Sequence, residues 1–81
     1  MNDRDIMLII ENWINEQKKE HFIVNFKELD SILSLPNGST ERNIKVAADK
    51  AGFDIDMGSD FAALTLHSYR FFYGLKRGFR E

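Results

Sequence analysis

The sequence contains no cysteine, one proline and one tryptophan in 81 residues. Because cysteine is absent, the chain has no disulfide and no thiolate ligand for a metal, which fits a reducing, intracellular setting. No apolar run approaches the ~18 residues that a membrane-spanning helix needs. The opening segment, Met-Asn-Asp-Arg-Asp, is polar and acidic and does not resemble a signal peptide. We therefore expect a cytoplasmic protein without a membrane partner.

The chain also lacks a large excess of charge of either sign, since its formal net charge is −2. This value argues against a protein that binds nucleic acid indiscriminately. The charges are unevenly distributed. Residues 1–41 contain four Lys and Arg against eight Asp and Glu, whereas residues 42–81 contain seven against five. A polyanion would therefore meet the second half of the chain.

Residues with catalytic chemistry are few. The two histidines, His21 and His67, belong to no Ser-His-Asp order, Gly-rich phosphate loop or His-Glu helix pair. Residues 54–65 loosely match a calcium-binding loop, but the glycine is one position early and Thr65 stands where a bidentate Glu is required. We expect no enzymatic activity, no cofactor and no metal.

The first half of the chain is organised around one long helix. Either Asn2 or Asp3 can cap it, and its apolar residues recur at helical spacing to about Lys19. The residues on this stripe are Ile6, Ile9, Ile10, Trp13, Ile14 and Gln17. We expect Trp13 to be the main packing residue of the helix. A short β-prone run follows at residues 22–24.

A second, shorter helix is predicted to begin at Asn25, because Glu28 stands three residues later in the capping-box arrangement. The residues expected on its buried side are Phe26, Leu29, Ile32 and Leu33. Leu-Pro-Asn-Gly at residues 35–38 ends this helix, since proline disfavours helical geometry in the preceding residue and Asn-Gly favours a turn.

A third helix is predicted from Ser39 or Thr40 to Ala51, with Gly52 as its left-handed C-terminal cap. Four apolar residues recur at the spacing i, i+3, i+4 and i+7, and so share one face. They are Ile44, Ala47, Ala48 and Ala51. Small alanines let this helix lie close to its neighbours and leave its outer face free for a groove in DNA or in another protein.

Two strands are predicted after the third helix. Apolar residues alternate with Asp54 and Asp56 over residues 53–57, which is the period of a half-buried strand. Alternation resumes over residues 62–67, after the turn-forming sequence Gly-Ser-Asp at residues 58–60. The two strands should pair as a β-hairpin.

The order helix, short strand, helix, tight break, helix and hairpin resembles the winged helix-turn-helix family over roughly residues 5–67. The residues that carry the resemblance are FKELDSILSLPNGSTERNIKVAADKAGFDI, residues 26–55. The resemblance implies an α+β, mainly helical domain at residues 1–67, with three helices, a short strand and a C-terminal hairpin that forms the wing. A basic aromatic extension, residues 68–81, would follow it.

In winged helix-turn-helix domains the third helix enters the DNA major groove, so the resemblance implies a small transcriptional regulator that reads duplex DNA. Arg42 could then bind guanine, Asn43 adenine and Val46 a thymine methyl. Other side chains on this helix suit phosphate, which positions the protein without specifying sequence. The full set expected at DNA is Ser39, Thr40, Arg42, Asn43, Lys45, Val46 and Lys50.

Two alternatives remain open. The predicted wing carries Asp54, Asp56 and Asp60 but no Lys or Arg. This suits a protein–protein interaction module, such as an accessory or inhibitory protein that imitates nucleic acid. Residues 35–53 also resemble the single-stranded nucleic-acid-binding domain named for its Arg-x-x-x-His motif, with Arg42 as the arginine and Val46 at the histidine position. The family resemblance favours duplex DNA, whereas the acidic wing favours a protein partner.

The extension interleaves aromatic and basic residues. Its aromatic side chains can pack against the core or form a homodimer or partner contact, and its cations can contact a phosphate backbone. The aromatic residues concerned are Tyr69, Phe71, Phe72 and Phe79, and the basic ones are Arg70, Lys76, Arg77 and Arg80. Packing or dimerisation is favoured over base stacking, because so short a chain needs its aromatic residues for packing.

Overall fold

The computed structural model describes residues 2–67. Within this part, three helices and a three-stranded antiparallel sheet form an α+β fold. The sequence predicts the three helices, the short strand and the hairpin, but not that the short strand pairs with the hairpin. The elements are α1 (Asp3–Gln17), β1 (His21–Asn25), α2 (Phe26–Ile32), α3 (Ser39–Lys50), β2 (Phe53–Met57) and β3 (Phe61–Leu66). The basic aromatic extension expected at residues 68–81 lies outside the described residues.

Helix α1 begins at a side-chain cap and supplies one wall of the core. The Asn2 side chain accepts a hydrogen bond of 2.9 Å from the Asp5 backbone N–H, which satisfies one of the unpaired amides at the helix start. The helix ends at Gln17, two residues earlier than expected, because Lys18 adopts the left-handed region with φ of 54°. Its buried residues are Ile6, Ile10 and Ile14.

Trp13 occupies the edge of the core and is only partly buried. Its ring meets Phe22 edge-on with a centroid distance of 6.0 Å, and Phe22 meets Phe53 in the same way at 5.7 Å. The expectation that Trp13 is the main packing residue of α1 is therefore wrong. The buried face of α1 consists of Ile6, Ile10 and Ile14, and the Trp13 indole packs beside it at the edge of the core.

Helix α2 begins as expected, with the Asn25 side chain accepting a 2.8 Å hydrogen bond from the Glu28 N–H. Its buried residues include Leu29 and Asp30, whereas Ile32 is 59% exposed. The burial predicted for Ile32 is therefore wrong. At 3.6 residues per turn, Ile32 lies about a third of a turn away from the centre of the arc that Leu29 and Asp30 bury.

The sheet has the strand order β1-β3-β2, with both outer strands antiparallel to β3. The predicted hairpin is confirmed, with Phe53 opposite Leu66 at one end of the β2–β3 ladder and Met57 opposite Ala62 at the other. The residues of the inner sheet face that are most fully buried are Val24, Ala62 and Leu64. These residues belong to the same core cluster as the isoleucines of α1.

Helix α3 lies against α1, and its contact face is fully buried at Ile44, Ala47 and Ala48. This confirms the stripe that the helical spacing predicts. The helix itself ends at Lys50, with Ala51 as its C-terminal cap and Gly52 in the left-handed region at φ of 86°. Glycine adopts that conformation at no steric cost, so the chain can turn directly from α3 into β2.

Candidate functional site

The first turn of α3 is capped by a carboxylate from the preceding helix. Asp30 is 5% exposed, and its side chain accepts hydrogen bonds of 2.8 Å from the Gly38 and Thr40 backbone N–H groups. It also accepts a 2.7 Å bond from the Thr40 hydroxyl. Gly38, at the N-cap position, has no side chain to do this. The amides that a helix start leaves unpaired are therefore partly satisfied from within the protein, by a group of the sign that the helix dipole favours.

Three of the seven residues expected at DNA are buried beside this cap. Ser39 and Thr40 are fully buried, and Asn43 is nearly so. The Asn43 side-chain amide donates to the Ser39 carbonyl at 3.0 Å and to the Asp3 carboxylate at 3.5 Å. The outward placement expected for these three side chains is corrected, because they belong to the packing of α3 against α1 and α2.

The other four expected residues lie on the outer surface of α3. They are Arg42, Lys45, Val46 and Lys50. Arg42 lies 3.8 Å from the Asp3 carboxylate of α1, but both side chains are more than half exposed, so water screens this ion pair. Val46 is 52% exposed and lies between charged neighbours on the outer surface of α3.

An open groove of about 370 Å³ runs between α3 and β2, and we call it the α3–β2 groove. Its apolar lining comes from Val46, Phe53 and Ile55. Lys45 and Asp49 from α3 and Asp54 from β2 supply the charged lining. The sequence indicated the outer face of α3, but not that the first residues of β2 complete a concave surface with it.

The hairpin beside the groove is acidic. Asp54, Asp56 and Asp60 lie within residues 53–66, which contain no Lys or Arg. The Asp54 carboxylate lies 3.5 Å from the His67 ring nitrogen Nδ1. Together, the exposed parts of α3 and the hairpin present three cations against five carboxylates, once Glu41 and Asp49 are counted. Within residues 2–67, the outer surface of α3 and the hairpin together therefore carry more negative than positive charge.

On the opposite face of the sheet, polar side chains of β1 and β3 meet. The His21 ring nitrogen Nδ1 and the Thr65 hydroxyl are 2.8 Å apart across β1 and β3. Over residues 2–67, no three His, Asp or Glu side chains are placed to share a metal ion. None of the helices in that range is both long and apolar enough to cross a bilayer.

The remaining site predictions concern the extension and lie outside the described residues. They are the partner contacts of Tyr69, Phe71, Phe72 and Phe79 and the backbone contacts of Arg70, Lys76, Arg77 and Arg80. Comparisons with protein-family models, with curated proteins and with solved structures give no match. The exposed groove and the closed start of α3 are the features whose chemistry indicates a function.

Proposed function

We propose that this chain is a winged-helix-type interaction module that binds a protein partner through the α3–β2 groove. The observation that carries the proposal is an open apolar groove set in a surface with more carboxylates than cations. The order of helices and strands supports the winged-helix part of the proposal. The partner would be a protein with an apolar segment and basic residues around it.

Val46 and Ile55 make the groove a candidate site for an apolar side chain. Val46 is half exposed on α3, and Ile55 is half-buried on the facing strand. Single exposed apolar residues are common, but here two of them line one concave surface together with Phe53. A partner side chain placed between them would lose water contact on several sides, which is the usual source of binding energy in such grooves.

The carboxylates beside the groove favour a basic partner. A partner with Lys or Arg beside its apolar residues would face Asp49 and Asp56, which are both exposed. Complementary charge of this kind speeds association and excludes wrong partners more than it adds affinity. A module with this surface could serve as an accessory or inhibitory protein that occupies a basic site on its partner.

The closed start of α3 favours a protein over a phosphate backbone. Backbone amides at a helix start commonly hold phosphate, but here the Asp30 carboxylate occupies those of Gly38 and Thr40. A hairpin carboxylate about 4 Å from a phosphate would add roughly 1 kcal/mol of repulsion even at the dielectric constant of water. Neither feature suits a helix that must approach DNA at its first turn.

Duplex DNA binding remains the second candidate, and one observation favours it. Arg42, Lys45 and Lys50 all lie on the outer surface of α3. If all three cations neutralised phosphates, a plot of log association constant against log salt concentration would have a slope of about −3. This slope gives the second candidate a quantitative signature.

Site-specific photo-crosslinking in the source cell tests the proposal. A photoreactive phenylalanine analogue would replace Val46 in the groove or, as the matched control, Leu8, which is also exposed but lies on α1. We expect one discrete protein adduct at position 46 and none at position 8. Equal adducts at both positions, or none at 46, would contradict the proposal.

A duplex titration separates the second candidate. Fluorescence anisotropy of a labelled random-sequence duplex would be measured at about 50 mM and about 200 mM salt. Our proposal expects no saturable binding at either concentration. Binding that weakens with salt at the slope given above, and weakens again in Lys45→Ala, would establish DNA as the ligand instead.

A further inference from the structure

The hydrogen bonds at the two ends of the β2–β3 ladder show which peptide groups of β2 face its partner strand. At one end the His67 N–H donates to the Gly52 carbonyl at 2.8 Å, and at the other the Gly58 N–H donates to the Phe61 carbonyl at 2.7 Å. Peptide groups alternate in direction along an antiparallel strand. The even-numbered residues of β2 therefore bond to β3, and the odd-numbered ones point away from it.

The outward-pointing peptide groups belong to Phe53, Ile55 and Met57. None of the three has a backbone hydrogen bond to another residue within 2–67 beyond the β2–β3 ladder, and β2 lies at one edge of the sheet formed there. Natural sheets commonly protect such an edge with charged side chains, most often lysine, or with proline or a bulge. The sequence of β2, Phe-Asp-Ile-Asp-Met, contains neither lysine nor proline, and its two charged residues are acidic. Among residues 2–67, its outer edge therefore offers an unpaired row of donors and acceptors to a basic segment.

This row lies along the α3–β2 groove. A chain added beside β2 would lie about 4.8 Å from it, and its side chains would alternate between the two faces of the sheet. Those on the inner face would meet Val46 and Ile55, and those on the outer face would meet Asp56. The groove thus combines a backbone edge with separate surroundings for alternate side chains, which is the arrangement that binds extended peptides.

We infer that the groove binds an extended segment of the partner, which pairs with β2 as an additional strand. The segment carries apolar residues at alternate positions, directed toward α3, and Lys or Arg between them, directed toward Asp56. The inference rests on the proposed function, because it specifies how the same groove holds its partner. It adds the conformation of the ligand and its sequence pattern.

The other edge of the described sheet, β1, is less suited to this role. The groove between β1 and α2 has a volume of about 140 Å³, against about 370 Å³ for the α3–β2 groove. Ile23 and Ile32 are exposed there, but Glu28 is its one charged lining residue. It has less room for side chains and less charge with which to select a basic segment.

Peptide selection on the full-length chain provides the first test. The probe is a phage-displayed library of random linear peptides, and the enriched sequences are synthesised and their affinities measured. We expect alternating apolar and basic residues, with Kd raised about tenfold or more by Val46→Lys, a loss typical of a central contact residue. Leu8→Lys, which adds the same charge on α1, and Ile23→Lys, on β1, should leave Kd within about twofold, as expected for residues outside the contact.

Backbone methylation of the best peptide provides the second test. One version carries N-methyl groups on alternate residues, and its partner carries them on the residues between. Only one of the two alternating sets can donate to β2, so one version should lose binding and the other keep it. In hydrogen exchange of the bound protein, the amides of Phe53, Ile55 and Met57 should slow, while that of Ile23 should not.

The outcomes separate the two proposals. If Val46→Lys abolishes binding but both methylated peptides bind equally, the groove binds protein and strand addition is overturned. If Ile23→Lys abolishes binding and Val46→Lys does not, both the groove and the strand assignment are overturned. Failure of the library to yield any peptide that Val46→Lys weakens overturns them as well.

Discussion

The two halves of α3 differ in whether their polar groups are already used. In the first half, the side chains of Ser39, Thr40 and Asn43 are buried, and Asp30 holds the start of the helix. In the second half, Lys45 and Val46 face solvent beside the edge of β2. A polar residue on a helix is therefore no guide to a binding surface until its neighbours are known. Ser39 and Thr40, which were expected at phosphate, are closed off in the first half, whereas Lys50, expected there as well, is exposed in the second.

The first half of α3 is tied to α2 by the hydrogen bonds of Asp30. A buried carboxylate is costly unless hydrogen bonds replace its hydration, and Asp30 has three such bonds from the α3 start. These bonds also set the residue at which α3 begins after Pro36, because the amides of Gly38 and Thr40 both donate to this one carboxylate. The Asp30 cap thus positions α3, the second half of which lines the α3–β2 groove.

The largest effect should come from removing the carboxylate. Asp30→Ala leaves the buried amide and hydroxyl of Thr40 and the partly buried amide of Gly38 without their acceptor, and should lower the free energy of unfolding by about 3 kcal/mol. Asp49→Ala makes the same substitution in the open half and should change it by less than about 0.5 kcal/mol. Urea denaturation of both variants measures the difference. Equal midpoints would show that Asp30 does not hold the helix start.

The next effect compares two adjacent hydroxyls of the closed half. Thr40→Val removes a hydrogen bond to a carboxylate and should cost about 1.5 kcal/mol. Ser39→Ala should cost nothing or stabilise slightly, because the Ser39 hydroxyl is buried without a hydrogen-bond partner among residues 2–67. Thermal unfolding of the two variants tests this order, and a larger loss for Ser39→Ala would reverse it.

A smaller effect is expected where the open half turns into β2. Gly52→Ala should cost about 1 kcal/mol, because alanine is disfavoured at its φ of 86°. A side chain there would meet nothing within 4 Å, so the cost comes from the backbone alone. Gly52→Asn should cost less, since asparagine tolerates this region. Equal losses in denaturation would point to a steric cause instead.

The smallest effect on stability should come from the groove itself. Val46→Lys replaces an exposed side chain and should change the free energy of unfolding by less than about 0.5 kcal/mol. Leu8→Lys on α1 should behave alike, although only the Val46 variant should lose its partner. A large loss of stability in Val46→Lys would mean that this side chain serves the core.

The sequence predicted elements whose signal is local. The buried stripe of α3 follows from its spacing, and the Asn25 cap follows from the residue three positions on. The Asp30 cap was missed, because its partners lie eight and ten residues away and no local pattern marks them. Trp13 and Ile32 were misplaced, because hydrophobicity alone does not show which edge of a helix its neighbours cover.

The burial of Thr40 and Asn43 could have been predicted from helical spacing. Thr40 precedes Ile44 by four residues and Ala47 by seven, so it continues the buried stripe one turn earlier. Asn43 likewise precedes Ala47 by four. The resemblance to a DNA-binding helix placed both residues outward despite this spacing. The groove could not be predicted, because it requires the position of β2 relative to α3.

The most direct test of the difference between the two halves is a titration of the isotope-labelled chain with random-sequence duplex DNA, followed by amide NMR at about 50 mM salt, where phosphate binding is strong. We expect the Gly38 and Thr40 amide signals to stay in place at excess DNA, because their hydrogens are bonded to Asp30. Saturable shifts of these two signals, lost in Arg42→Ala, would show that the start of α3 binds phosphate and would contradict the account.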